Sequence, residues 1–263
     1  MLATGVSSAA ANEYEAFAQC PVENPEVATC LVGRTGSGEF KIGNETVPIE
    51  KTQTIQAGLI LVSPFESQFV AALNGETLSK TPQKVPGGLT GIKCSEIKGN
   101  GLIEKGLRAL CESIFNNKLT GVTATTEVAG AVSSIILNQP FLEIEEGTAL
   151  YLPVKIKLEN PLLGSSCYIG SNTEPINLEL TTASPGKLGK ISTRAKGGVL
   201  VITENTLVDS NFKAPGATGC GIGGLLDGLL NTKLGLPAST GNKAVLNSTL
   251  EEANAELVAA NGE

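Results

Sequence analysis

The chain contains no histidine. That absence removes Ser-His-acid and Cys-His nucleophiles, imidazole proton shuttles, and most zinc and haem ligand sets. Tryptophan is absent too, and seven Phe and three Tyr hold the aromatic content at 4%. These are too few for the aromatic girdles of a membrane β-barrel or the stacking platforms of a sugar-cleaving cleft. Of 26 acidic residues only Asp209 and Asp227 are aspartates, which argues against a calcium loop built on closely spaced Asp ligands. Arginine occurs only as Arg34, Arg108 and Arg194, and the net charge is −7. With no basic stripe to neutralise phosphates, nucleic acid is excluded as a partner. No run reaches the roughly 18 apolar residues of a spanning helix, so no transmembrane segment is expected.

What is present describes a folded, exported protein. Hydrophobic residues make up 41% of 263 and charged residues 17%, a globular balance able to bury a sizeable core. Six cysteines occur at wide spacing with no C-x-x-C, which reads as three disulfides formed in an oxidising compartment. Leu2–Ala11 is rich in Ala and Ser like the end of a signal peptide, although a basic segment before it is missing. Residues 1–19 are therefore taken as an exported N-terminal segment, and the expected location is secreted or cell-surface.

The sequence also repeats itself. Glu23-Asn24-Pro25 precedes Cys30, and Glu159-Asn160-Pro161 precedes Cys167. Gly58-Leu59-Ile60-Leu61-Val62 matches Gly198-Val199-Leu200-Val201-Ile202. Lys84-Val85-Pro86-Gly87 runs on to Cys94 as Lys213-Ala214-Pro215-Gly216 runs on to Cys220. The motifs keep their order while the spacing drifts, as loops do between related units. The expected organisation is a first repeat unit over 20–130, connecting strands over 131–160, and a second unit with a C-terminal helix over 161–263. The rival reading is that Gly- and Pro-rich β proteins reuse turn chemistry.

Disulfide connectivity follows two alternatives. If Cys30 corresponds to Cys167 and Cys94 to Cys220, a Cys167–Cys220 bond implies Cys30–Cys94 and leaves Cys20 with Cys111. Local pairing gives Cys20–Cys30 and Cys94–Cys111, again with Cys167–Cys220. Sequence alone does not choose between them.

Alternating or β-branched segments predict strands at 39–43, 58–62, 122–128, 148–158, 177–182 and 198–203. Pro153 marks an edge or a bulge in its strand. Residues 64–73 are ambiguous, and 78–88 reads as a long loop. Each unit carries one short apolar helix: Ile103, Leu107, Leu110, Cys111, Ile114 and Phe115 share one face, and Leu225, Leu226, Leu229 and Leu230 do the same. These faces are expected to be core, a lipid cavity being the rival use. Ser248-Thr249-Leu250-Glu251-Glu252 offers two overlapping capping boxes, predicting a third helix through Val258. The fold class is mainly β, a β-rich α+β arrangement of two tandem, duplicated antiparallel units.

Candidate chemistry is sparse. Ser95-Glu96-Ile97-Lys98 and Ser184-Pro185-Gly186-Lys187 match S-x-x-K without the companion motifs of Ser-Lys hydrolases. Glu143, Glu145 and Glu146 could pair as carboxylates but read better as a solvated turn. Gly221-Ile222-Gly223-Gly224 before a helix could hold an anion, or simply link out of a disulfide. No catalytic, cofactor or metal residues are assigned, and no cofactor is expected.

Phe17-Ala18-Gln19-Cys20-Pro21, Ser37-Gly38-Glu39-Phe40-Lys41-Ile42-Gly43 and the C-terminal Ala244–Ala253 resemble secreted actinobacterial proteins of unknown function. The resemblance spans most of the chain and implies an exported, disulfide-bearing product with no activity to carry over. The expected role is a non-enzymatic structural or cell-surface β-protein, with self-association or a cell-surface partner. The alternative is an extracellular binding module for an apolar or glycan ligand in the crevice between the two units.

Overall fold

The structure, a computed structural model, describes residues 12–91, 93–115 and 119–261; the Leu2–Ala11 segment lies outside them. In chain order the strands and α-helices are β1 (Thr29–Ile42), β2 (Glu45–Pro48), β3 (Gln53–Leu61), β4 (Glu66–Ala71), β5 (Gln83–Val85), α1 (Leu102–Phe115), β6 (Val122–Val128), β7 (Ile136–Asn138) and α2 (Gln139–Ile144). They continue with β8 (Leu150–Glu159), β9 (Tyr168–Ile169), β10 (Ile176–Leu180), β11 (Lys190–Arg194), β12 (Val199–Asp209), β13 (Ala217–Thr218), α3 (Asp227–Leu234), β14 (Lys243–Asn254) and α4 (Ala255–Asn261).

The strands are antiparallel and belong to one sheet, in the order β11-β12-β14-β1-β3-β4-β7-β8-β6-β5, with β10 also paired to β8. The sheet closes on itself. Thr181, just after β10, exchanges both backbone hydrogen bonds with Val208 of β12 at 3.0 and 2.9 Å. The ring is therefore β12-β14-β1-β3-β4-β7-β8-β10 and back to β12. Asp209 reinforces this seam: its carboxylate accepts from the Glu179 backbone N–H at 2.7 Å and from Asn211 at 2.8 Å. Closure removes the unpaired edges that an open sheet would expose along this ring.

β1 and β8 are longer than the ring needs. The second half of β1 pairs with β2 from Glu39 to Ile42, and the second half of β8 pairs with β6 and β9. β5 joins through β6. The result is a second tier of β1, β2, β5, β6, β8 and β9 continuous with the ring.

Strand parity assigns the two faces. Leu31 of β1 points to the main core, while Cys30 and Val32 point outward into a second, smaller core with Tyr14, Phe17, Cys20, Val199 and Val258. Residues 14–27 and α4 thus cover the outer face of β12-β14-β1-β3. Gly58 permits this close cover, because a Cβ there would stand 2.8 Å from Val27 and 3.0 Å from Pro21.

The same parity explains the cysteines. Cys30 faces the N-terminal segment and bonds Cys20; Cys94 bonds Cys111 of α1; Cys167 bonds Cys220. The local alternative holds, and the repeat-derived pairs Cys30–Cys94 and Cys20–Cys111 are corrected. The unit boundaries are crossed by ladders: β1 pairs with β14 from Thr29↔Asn254 to Lys41↔Lys243, and β6 pairs with β8. The strands of residues 20–130 and 161–263 are thereby parts of one sheet.

Three further expectations change. The predicted helix from Ser248 is strand to Asn254, and only Ala255–Asn261 is helical. Ser248 pairs with Thr35 and Asn205 on either side, so two ladders outweigh a local capping pattern. Residues 64–73 contain β4, and β5 interrupts the expected loop at 78–88. Pro153 sits inside β8, at the gap where the β7 ladder ends at Tyr151 and the β6 ladder begins at Val154, so its missing N–H breaks no ladder there.

Replacing Asp209 with Ala leaves two backbone N–H groups at the seam without their acceptor. The expected cost is about 2–3 kcal/mol, read as a lower urea midpoint; an unchanged midpoint contradicts a closing role for this side chain.

Candidate functional site

Inward-facing side chains leave two partly enclosed spaces inside the sheet. One lies toward α2 and is lined by Leu31, Ile55, Phe69, Leu137, Leu152 and Leu250, among others. The other lies toward α3 and is lined by residues such as Ile42, Val85, Val122, Ile156, Leu158 and Leu230. Counting only the space open to the centre of a water-sized sphere, their volumes are about 60 and 70 Å³. Each equals roughly five water positions at about 10–15 Å³ apiece. Phe40, Gln53 and Thr126 line both spaces, so the two adjoin at these side chains.

A polar row crosses the α2-side compartment. Register places Asn205 of β12 beside Ser248 of β14, Ser248 beside Thr35 of β1, and Thr35 beside Gln53 of β3. All four line the compartment. Asn205 is 1% exposed, and among the described residues neither its Nδ2 nor its Oδ1 has a hydrogen-bond partner. The ladder is irregular on both sides of it, with register shifts at Thr35/Ser37 of β1 and Ile202/Asn205 of β12. Glu204, inside the second shift, holds φ at 57°, an uncommon conformation for a non-glycine residue.

Short helices stopper the two ends. At one end α2 starts on Asn138, whose side chain accepts from the Phe141 N–H at 3.1 Å, and it sends Leu142 into the compartment. At the other end α3 turns Leu230 and Leu234 inward and leaves Leu229 exposed, as is Leu225 just before it. Gly235, at φ 67°, ends α3 in the left-handed conformation. Lys233 also lines this end, its ammonium donating to the backbone carbonyls of Gly88 and Leu89. Burial pushes the Lys233 pKa down, and the charge of Glu45 opposes that shift.

Glu252 shares the inward face of β14 with Leu250 and stands between Leu31 and Leu200. Part of the residue reaches solvent, but its Oε1 is buried without a partner among the described residues. Burial raises its carboxyl pKa from an ordinary 4.5 to about 7, with a smaller push from the Glu143 charge.

The other sequence candidates do not converge. Glu143 accepts from the Gln139 amide, and Glu145 accepts from the Leu188 N–H at 2.6 Å, so both serve local structure on exposed ground. Glu146 is exposed, as are Ser95, Lys98, Ser184 and Lys187. The loop before α3 already has its anion: the Asp227 carboxylate accepts from the N–H groups of Gly219 and Cys220 at 3.2 and 2.7 Å. Of the α1 face expected to be core, Ile103, Leu107 and Leu110 are exposed and Cys111 is taken up in a disulfide, while the Ile114 and Phe115 side chains lie outside the described residues. α1 is held instead by Cys94–Cys111, the Lys84–Glu112 ion pair and the Arg108 guanidinium on the Ile97 and Gly99 carbonyls. Among the described residues none of α1 lines either compartment.

Asn205, Gln53 and Thr126 escaped sequence reasoning. The available signal was Ser248 between Leu246 and Leu250, a polar residue at an inward position of an alternating strand. Among the described residues no helix is long and apolar enough to cross a membrane. Set against known protein families, curated proteins and solved structures, the chain matches none.

A raised carboxyl pKa means that the folded state binds the proton more tightly than the unfolded one. Stability from Glu252 is therefore greatest below pH 4.5 and falls as pH rises to about 7, by at most about 3 kcal/mol. Urea unfolding of Glu252→Gln should lose this fall between pH 4.5 and 7 and show a higher midpoint than the parent at about pH 8. Parallel pH profiles for the two proteins would contradict the assignment.

Proposed function

We propose that this is an exported, disulfide-stapled, non-enzymatic protein that holds a small apolar or amphiphilic molecule inside its closed sheet. The observation that carries the reading is the pair of adjoining, partly enclosed and mostly apolar compartments inside the sheet. Apolar cavities stay dry and take up apolar guests, because filling them restores contacts that the lining side chains lack. Together the two compartments hold about ten water-sized positions at about 10–15 Å³ apiece, room for a short apolar chain.

This reading replaces a crevice between two units with an interior built jointly by strands of both. Three disulfides support an oxidising compartment. A scaffold role through edge-to-edge association draws less support. β11, at one end of the strand order, is five residues long and carries Lys190 and Arg194, which discourages pairing with another chain. A catalytic role also draws little, since the candidate acids and Ser-Lys motifs lie apart from the compartments.

An interior site has a length limit and a surface site does not. Calorimetric titration with 1-alkanols should show affinity rising about fourfold per methylene, the equivalent of about 0.8 kcal/mol, and then ceasing to rise once the lumen is full. Ala124→Phe, which fills the α3-side compartment, should move that limit to a shorter chain. No binding, or affinity that rises without limit in both proteins, would contradict the proposal.

A further inference from the structure

We infer that the ligand carries a neutral polar group with one hydrogen-bond donor and one acceptor in mid-chain, held by Asn205, with an apolar arm on either side. The inference deepens the lumen-binding reading and rests on it. Its starting point is the Asn205 side chain, almost wholly buried, lining the α2-side compartment, with both polar atoms unpartnered among the described residues. A buried amide without partners is costly, so one in a cavity wall calls for a partner that arrives from the cavity.

The amide offers a donor at Nδ2 and an acceptor at Oδ1, so its complement is a group offering the reverse pair, such as a secondary amide or a hydroxyl. Thr35 and Ser248, in register with it, add hydroxyls that can turn either way, and Gln53 adds a second amide. The group must also be neutral. Among the described residues no charged side chain lines the α2-side compartment. Of the charges that line the α3-side compartment, Lys233 donates to the Gly88 and Leu89 carbonyls, and Glu45 is ion-paired with Lys93 at 3.1 Å although its buried Oε1 accepts no hydrogen bond among the described residues. An anion at the polar row would lose its water without gaining a cation.

The row also lies between apolar walls. Leu31, Leu137 and Leu250 lie on its α2 side, while Phe40 lies at the junction with the α3-side compartment. A polar group at Asn205 therefore leaves apolar substituents pointing both ways. The left-handed Glu204 and the two register shifts occur where Asn205 is aimed inward, and such strain in a strand is commonly kept where a side chain must be positioned.

Three probes of matched chain length test this by calorimetry on the full chain: N-butylhexanamide, n-undecane and undecanoate. The expected result is binding of the amide at least about tenfold tighter than the alkane, and tighter than the carboxylate at about pH 8. In Asn205→Leu the amide should lose this advantage while the alkane still binds. The ligand-free variant should melt no lower than the parent, since an unpaired amide has been replaced by an apolar side chain of similar size. Equal affinities for amide and alkane in the parent, an advantage that survives in Asn205→Leu, or preference for undecanoate would each overturn the inference and leave lumen binding standing. A lower melting temperature or loss of fold in ligand-free Asn205→Leu would also overturn it, by giving Asn205 a structural role. Failure of every probe to bind would remove both readings together.

Discussion

Closure of the sheet between β10 and β12 is the constraint on which the rest depends. Among the described residues it is made by the Thr181–Val208 backbone exchange and the Asp209 carboxylate on the Glu179 N–H, while the Lys187–Thr206 exchange extends the neighbouring β11–β12 ladder. Without it, the inward faces of β8 and β12 would be walls of an open groove. With it, Leu178, Leu180 and Ile202 are buried in one core, and Asn205 and Gln53 of the polar row are buried with them. Both aspartates of the chain do comparable work. Asp209 closes the seam and Asp227 closes the turn at Cys220. The short aspartate side chain reaches adjacent backbone N–H groups in a way the more common glutamates rarely do in this chain.

The covalent links follow the same plan from outside. Cys20–Cys30 pins the N-terminal cover to β1, and Cys94–Cys111 ties α1 to the loop before it. Cys167–Cys220 joins the residue before β9 to the loop that leads into α3 and closes the longest segment, a separation of 53 residues. In the chain-entropy description such a loop removes about 4 kcal/mol of unfolded-state freedom. The stopper at the α3 end is thereby fixed to the wall it seals.

Much of this was legible in the sequence, and the losses have physical causes. Val122–Val128 and the long alternating run of β8 were visible because side-chain parity is a local property. Cys167–Cys220 was visible as the pair common to both connectivities. The strand at Ser248 was not, because its partners Thr35 and Asn205 are 213 and 43 positions away and a capping pattern is read within five residues. The motif repetition is matched by strand character in both apolar runs, Gly58–Leu61 lying in β3 beside β1 and Val199–Ile202 in β12 beside β14. It did not extend to the cysteines, since Cys30 faces the outer core and Cys167 the inner one. Asn205 was hidden by its own register shift, which breaks the alternation that would have marked it as inward.

The measurement that reaches the central claim most directly is methyl NMR of the purified protein under xenon pressure. Xenon enters dry apolar cavities and perturbs the methyl groups around them. An apolar interior open to a guest predicts saturable shifts confined to the two linings, at residues such as Leu31, Leu137 and Leu250 on one side and Val122, Leu158 and Leu230 on the other. Shifts restricted to exposed Leu102, Leu107 and Leu225, with the interior methyls unmoved, would contradict it.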